Sequence, residues 1–367
     1  MYVVAHNGSA IFGGGEIGTV LLLRELQRRG HRVLMLFRDQ ALAARAAEYG
    51  IPTAVQLVGG DLMLPDALRM AARLRRERPD ALILTSFKKV VLAGLAGRLA
   101  HVPRIVQRIV LQGDTPARGA RYRWALRHLV DAIALNADAM RHDFLSGDAG
   151  LDARKVITIH DGVRVPVAAG QPGAVRAELG IPADAPVIGA VARLAWQKRF
   201  DRLVRALALL PSNVHCVVAG EGEETDGLRA LAAQLGVSER LHLPGFRRDV
   251  GDMLAALDVF VVSSDREGLA NAMLEAMATG IPVISTPVSG AEEALEPFPD
   301  VTRPGEIVAA EPEAIAATLR RLLDDPSARQ TMGAAGRRRV AERFSAEAMV
   351  DAWEALLAGE PARQAPR

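Results

Sequence analysis

Residues 259–290 read VFVVSSDREGLANAMLEAMATGIPVISTPVSG. Val259 to Val262 are β-branched or aromatic, Ser263 to Gly268 are turn formers, and Ala270 to Ala278 are helix formers closed by Gly280. The stretch therefore predicts a strand, a loop and a helix, with a further strand in IPVIST. A loop at the carboxyl end of a buried strand is where open α/β sheets bind ligands. Glu267 lies just before the helix and Glu275 eight positions on, about two turns along it. The amides of Gly268, Leu269, Ala270 and Asn271 fall at the helix N-terminus, where they lack intrahelical partners and can hold an anion. Gly268 lets a ligand approach the main chain. A carboxylate on each side of an anion site suits a ligand ordered hydroxyl, phosphate, hydroxyl. The plainer reading makes Glu267 a helix-start acid and Glu275 a solvated helix residue.

Working outward, the same alternation of strand and helix recurs along the chain. YVVAHN (2–7) predicts a first strand, Gly13 to Gly15 a glycine loop, Ile17 to Arg29 a helix and His31 to Phe37 a second strand, which completes a βαβ unit. Further strands are expected at Thr53 to Leu57, Ala81 to Thr85, Arg104 to Val110, Ile133 to Asn136 and Val156 to His160. Gly162 to Pro186, rich in glycine and proline, reads as a link, after which the pattern restarts with strands at Val187 to Arg193, His215 to Ala219 and Leu241 to Leu243. Such alternation means parallel, doubly wound sheets. The expected organisation is an α/β chain with a first domain over 1–165, a second over 166–345 and a terminal helix and tail over 346–367, the two α/β halves enclosing a cleft. Phe344, Met349, Trp353 and Leu356 fall on one face of the last helix, which must bury it.

Composition sets bounds. At 367 residues, half of them apolar and about a quarter charged, the chain suits two globular domains. Its longest apolar runs are too short and glycine-rich to span a bilayer, and no charged segment precedes the first strand, so neither a membrane span nor a secretory signal is expected. The single cysteine, Cys216 in VHCVV, reads as a buried small hydrophobe, and disulfides and cysteine-rich metal sites are excluded. The net charge of +2 hides an asymmetry: residues 1–165 hold 24 Lys+Arg against 15 Asp+Glu, the remainder 21 against 28. The basic first half is compatible with attraction to an anionic acceptor or membrane surface, and equally with solvated arginine-rich helices. His101 falls in a helix-to-strand turn, and His142 and His215 show no partners at metal spacing.

The segment EGLANAMLE, followed by AMATGIPVIST, resembles the Glu-x7-Glu signature of retaining glycosyltransferases of family 4, which have the two-domain GT-B fold. The resemblance implies a cytoplasmic, metal-independent enzyme that needs no cofactor. It would move a sugar from a UDP-, GDP- or ADP-linked donor to a glycan or lipid-linked acceptor of the cell envelope, with no nucleic-acid partner. Other stretches carry it further. GAVARLAWQKRFD (189–201) resembles the family's G-R-L-x-x-x-K-G-x-D, which assigns Arg193 and Lys198 to the diphosphate, with Ala192 and Arg199 departing from glycines. Two cations after a parallel strand suit a leaving diphosphate. VVAGEGEE and LPGFRRDV resemble the nucleoside side, so Gly220, Gly222, Gly245 and Phe246 become candidates, or else turn glycines and a core aromatic. GGGE resembles the family's Gly-Gly loop, making Gly14 and Gly15 donor-facing and Glu16 a helix N-terminal acid. The resemblance implies that Glu267 and the amides of Gly268 to Asn271 hold sugar and phosphate, that Glu275 holds the ribose, and that the terminal helix returns to the N-terminal domain.

Two departures stand out. Where many members carry a histidine beside the reacting sugar, RIVQRIVLQGDTPA has none, and Arg108 or Asp114 falls near the place. The usual asparagine before Gly-Val at the domain junction is Asp161. Three other readings stay open: a nucleotide-sugar epimerase, a catalytically silent binding subunit, and a dehydrogenase. The last rests on Gly13, Gly15 and Gly18 as GxGxxG with Asp39 about twenty residues on, although five residues separate the first strand from this loop.

Overall fold

The computed structural model describes residues 1–10, 12–56, 63–111, 113–115, 117, 119–171, 173–300 and 302–360. Leu57, the expected end of the third strand, and the tail beyond Glu360 lie outside these residues. The chain forms two compact units, one of Met1–Asp161 with the segment from Ala346 onward, the other of Gly162–Ser345.

In the first unit, β1 (Tyr2–Asn7), β2 (Arg32–Phe37), β3 (Thr53–Val55), β4 (Ala81–Leu84), β5 (Arg104–Ile109), β6 (Ala132–Leu135) and β7 (Val156–Thr158) build one sheet. Its order is β3-β2-β1-β4-β5-β6-β7, and every pairing is parallel. Runs such as YVVAHN and ALIL are buried throughout, as strands covered on both faces must be. One face packs Leu82, Ile105 and Ile133 against Met70 and Leu74 of the helix Leu64–Glu77. The other packs Ile83 and Val106 against Leu22 and Leu26 of the helix Gly14–Arg28.

Onto that second face the terminal helix Ala346–Ala358 delivers Met349, Trp353 and Leu356. Arg29 holds it by ion pairs to Asp351 at 2.5 Å and Glu354 at 2.7 Å, and Arg104 Nε donates to the Leu356 carbonyl at 3.0 Å. The expected return of this helix to the N-terminal half is therefore what the chain does. Phe344 departs from the expected face: it lies in the core of the second unit, because the helix Pro326–Arg343 stops there and the chain changes units after Ser345.

The second unit contains β8 (Val187–Val191), β9 (His215–Ala219), β10 (Leu241–His242), β11 (Val259–Val262), β12 (Val283–Ser285) and β13 (Glu306–Ile307). They pair in parallel in the order β10-β9-β8-β11-β12-β13. The glycine- and proline-rich stretch expected to be a link belongs to this unit. Val163, Val175 and Ile181 enter its core, Val163 N donates to the Phe344 carbonyl at 2.9 Å, and Arg176 pairs with Asp258 at 3.0 Å. Cys216 is buried on β9, and burial pushes its thiol up to about 12, out of reach of thiolate chemistry. His215, with no partner at metal spacing in the sequence, stacks on a histidine of the next strand. Its Nδ1 lies 3.0 Å from His242 Nε2 and the rings stack, a pairing across β9 and β10 that sequence spacing does not display.

In each sheet the strand order reverses direction once, between β1 and β4 and between β8 and β11. Such switch points leave a crevice at the carboxyl ends of the strands.

Candidate active site

At the β8/β11 switch point the sequence candidates of the second unit converge. β8 ends at Val191, Arg193 follows, and a short 3-10 turn, Trp196–Lys198, presents the lysine. β11 ends at Val262, and Ser263 to Ala270 lead into the helix Asn271–Thr279. The helix begins one residue later than expected, with Ala270 extended before it and Gly280 left-handed (φ 84°) after it.

Lys198 Nζ forms an ion pair with Glu267 Oε1, the same oxygen that accepts from Ser264 Oγ at 3.1 Å. Two residues 69 positions apart thus meet where the two loops face each other. Arg193 is engaged differently. Its Nη1 lies 3.1 Å from Glu223 Oε2, on the loop after β9. Each cation therefore rests on a carboxylate, so neither is left as a bare charge at the site.

The two loops are bolted together by residues that sequence reading did not single out. Asp265 N donates to the Gln197 carbonyl at 2.9 Å, and Ser263 Oγ donates to the Lys198 carbonyl at 2.8 Å. The Asp265 carboxylate receives Arg199 at 3.0 Å and Arg202 at 2.6 Å, and these guanidinium groups hold its proton affinity below the usual carboxylate range. Arg199 also pairs with Asp201 at 2.9 Å. The departure from glycine at position 199 now has a physical meaning. Arg199 occupies left-handed backbone (φ 50°), a conformation glycine takes freely and other residues take at about 1–2 kcal/mol. Its bonds to two aspartates offset that strain.

The glycines expected on the nucleoside side have packing duties. A Cβ on Gly220 would lie 1.9 Å from the Ala192 carbonyl oxygen, and one on Gly222 would lie 2.1 Å from that of Leu194. The absence of side chains lets the loops after β8 and β9 knit through Leu194 N to Glu221 O at 2.8 Å, while Gly220 N reaches Gly245 O at 2.8 Å. Gly245 is itself left-handed (φ 80°) and Phe246 follows it, half-buried. Gly268 is buried, its carbonyl taken by Gly290 N at 3.1 Å, and Leu269 is buried in the core. The Ala270 carbonyl accepts Met273 N at 3.0 Å and Leu274 N at 3.2 Å.

One polar atom on the helix stays unsatisfied and one carboxyl is desolvated. Asn271 Oδ1 is buried with no hydrogen-bond partner among the described residues. Glu275, four residues on and so on the same face, is half-buried, and burial without a compensating cation pushes its carboxyl from 4.5 up to about 7. It is not the solvated helix residue of the plainer reading. Such a pair, following the carboxyl end of β11, is a candidate ligand site.

In the first unit the glycine loop is different from expectation. The helix starts at Gly14, so Gly14 and Gly15 form its first turn and Gly13 its N-cap, while the Glu16 carboxylate accepts from Gly13 N at 3.0 Å. Glu16 is thus a helix-capping acid, as anticipated. Asp39, the ribose candidate of the dehydrogenase reading, caps the helix Gln40–Ala47 by accepting from Leu42 N at 3.0 Å.

The two sequence departures explain one another. Arg108 on β5 is 3% exposed and pairs with Asp161 at 2.5 Å, whose second oxygen accepts Asn136 Nδ2 at 3.0 Å. Arg108 Nη1 also donates to the Gly15 carbonyl at 3.0 Å and Thr19 Oγ1 at 2.9 Å. A buried arginine in place of the histidine region is balanced by an aspartate in place of the asparagine. Arg108 is a structural cation under the first helix turn, and Asp114 remains on the loop beyond β5, half-buried.

This arrangement of two parallel sheets and switch-point loops has known counterparts. The profile described as Glycosyltransferase Family 4 matches residues 12–165, and Glycosyl transferases group 1 matches residues 173–339. The chain superposes on a solved structure of Anabaena Alr3699/HepE in complex with UDP and glucose, with a TM-score of 0.84 at 21% identity, covering 98% of this chain and 100% of that one. It also superposes on WaaG, a glycosyltransferase involved in lipopolysaccharide biosynthesis, at a TM-score of 0.73 and 18% identity, covering 97% and 99%. At these identities the likeness establishes the GT-B fold. A nearer relative in sequence is the lipopolysaccharide core biosynthesis glycosyltransferase LpsE of Rhizobium meliloti (strain 1021), 33% identical over 305 residues, 82% of this chain and 81% of the relative. With family profiles matching both halves of the chain and a relative of this kind matched over about four-fifths of each sequence, the protein belongs to glycosyltransferase family 4 and is a glycosyltransferase.

Proposed function

We propose that the protein is a retaining glycosyltransferase that moves a sugar from a nucleotide sugar to a hydroxyl of a glycan or lipid-linked acceptor in the synthesis of lipopolysaccharide or a related envelope polysaccharide. The observation that carries this reading is the meeting of Lys198 and Glu267 at the β8/β11 switch point, at the start of the helix that bears the unsatisfied Asn271 Oδ1 and the desolvated Glu275. The names of LpsE and of the UDP- and glucose-bound HepE support the donor and acceptor classes. In this reading Glu275 accepts from the ribose hydroxyls, and Glu267 with the backbone of Gly268 to Asn271 holds the sugar and phosphate. Arg193 and Lys198 stabilise the departing diphosphate, so that side-chain cations supply the charge and no metal is required. The bond from the anomeric carbon to the phosphate oxygen breaks as the bond to the acceptor oxygen forms on the same face. The acceptor proton passes to the departing phosphate oxygen, which balances the step without a protein base. The basic excess of residues 1–165 suits approach to an anionic membrane surface, tested by co-sedimentation with anionic against neutral vesicles. No helix among the described residues is long and apolar enough to cross a membrane.

Thermal-shift measurement against UDP, GDP, ADP and their sugars tests the donor. A ligand at a hundred times its dissociation constant stabilises by about 2.7 kcal/mol. One nucleotide class is expected to raise the melting temperature, and no response to any of them defeats the reading. Donor incubated alone should yield at most slow hydrolysis. Its conversion to an epimer would identify the rival activity.

Glu275 gives a further expectation. Ribose hydroxyls donate to an ionised carboxylate, so nucleotide binding pulls the carboxyl down from about 7 and releases a proton near neutral pH. Without ligand the folded state holds this proton between 4.5 and about 7, so stability falls as pH rises through that window and levels off above it. Calorimetric titration in two buffers of different ionisation enthalpy should detect the release in the wild type. Glu275→Gln should lose it and bind about tenfold more weakly. An unchanged proton count in the variant would remove Glu275 from the nucleotide site.

A further inference from the structure

We propose that Trp196 and Arg266 form a seat for an acidic sugar of the acceptor glycan, an assignment that rests on the transferase reading above. Trp196 is 54% exposed, whereas Trp353 is 1% exposed in the core. An indole left in water forgoes a large apolar contact area, and Trp and Arg, with Tyr, are the side chains enriched where binding energy concentrates. The guanidinium carbon of Arg266 lies 5.1 Å from the Trp196 ring centroid, within cation–π range, and Arg266 is itself exposed.

The position of the pair gives it a function. Trp196 opens the turn that ends in Lys198, and Arg266 precedes Glu267. Besides the Asp265 and Ser263 bonds that join them, the two loops therefore meet through the Lys198–Glu267 ion pair and again through this exposed platform beside it. Charge singles out the ligand. Arg193 rests on Glu223, Lys198 on Glu267, and Arg199 on Asp201 and Asp265. Arg266 alone among the cations of these two loops has no carboxylate partner among the described residues. An aromatic face takes the C–H face of a pyranose, and a guanidinium takes a carboxylate by two parallel hydrogen bonds. Together they fit a sugar acid and discriminate against its neutral counterpart.

The test uses the full-length protein with glucuronate and glucose as probes, followed by ligand-observed NMR titration, and with UDP binding followed by calorimetry in the same variants. The wild type should bind glucuronate about tenfold more tightly than glucose. Arg266→Gln should bring glucuronate to the glucose level, and Trp196→Ala should weaken both sugars. UDP affinity should stay within about twofold in either variant, which separates this seat from the nucleotide site. Equal binding of the two sugars by the wild type, no binding of either, or unaltered preference in Arg266→Gln would overturn the proposal. A wild type that selects glucuronate but ignores every nucleotide would uphold the seat and count against the transferase donor reading.

Discussion

Replacing Lys198 with alanine is expected to lower the transfer rate about 10²–10³-fold while changing nucleoside diphosphate affinity far less. The reason is differential. In the unliganded protein Lys198 sits on Glu267, so its interaction with a bound ground-state diphosphate is offset by the loss of that ion pair. As the glycosidic bond breaks, negative charge grows on the leaving phosphate, and a preoriented cation in a partly buried site is worth most then. Removal of one such electrostatic contact costs about 2.7–4 kcal/mol of barrier in other enzymes. Lys198→Ala also strips Glu267 of its cation, so Lys198→Ala combined with Glu267→Gln should be little slower than Lys198→Ala alone. Turnover measured at saturating donor checks both statements. A single variant that keeps wild-type turnover would sink the assignment, and strict additivity in the double variant would mean that the two residues act separately.

Much of this site is legible in sequence, because its information is local. Glu267, Gly268 and Glu275 follow from a strand, a loop and a helix read in order, and Gly280 closes the helix where its left-handed backbone requires a glycine. What escapes the sequence is pairing at a distance. Lys198 with Glu267, Arg199 with Asp265, His215 with His242 and Arg108 with Asp161 are brought together by strand order, which leaves no periodic trace along the chain. The glycine run at 13–15 misleads for a different reason. Glycine disfavours helix interiors, yet Gly14 and Gly15 sit in the first turn, where capping by Glu16 and the Arg108 hydrogen bond to the Gly15 carbonyl hold the backbone. Phe344 shares the helical spacing of Met349 and Trp353, but the break at Ser345 assigns it to another core.

The buried pair in the first unit carries the other large effect. Asp161→Ala should destabilise that unit by about 3–5 kcal/mol, since it leaves Arg108 as an uncompensated charge in the interior. The midpoint of its thermal transition should fall by roughly 6–20 °C for a unit of this size. The more telling variant is Asp161→Asn, which places there the asparagine of the family pattern that the sequence resembles. If position 161 were free to follow the family, the change would be neutral. Here it removes the only carboxylate beside Arg108 Nη2 among the described residues, and it replaces an acceptor of Asn136 Nδ2 by an amide that must choose an orientation. It should therefore also destabilise, by an amount between zero and the alanine value. Arg108→Met together with Asp161→Leu should recover most of the loss, because an apolar pair of similar volume asks for no desolvation of charge. The double variant should still loosen the first turn of the helix Gly14–Arg28, which loses the bond to the Gly15 carbonyl, and this is readable as faster amide exchange there. A neutral Asp161→Asn would mean that the two departures from the family pattern arose independently. A destabilising one that Arg108→Met repairs would mean that neither residue is intelligible without the other.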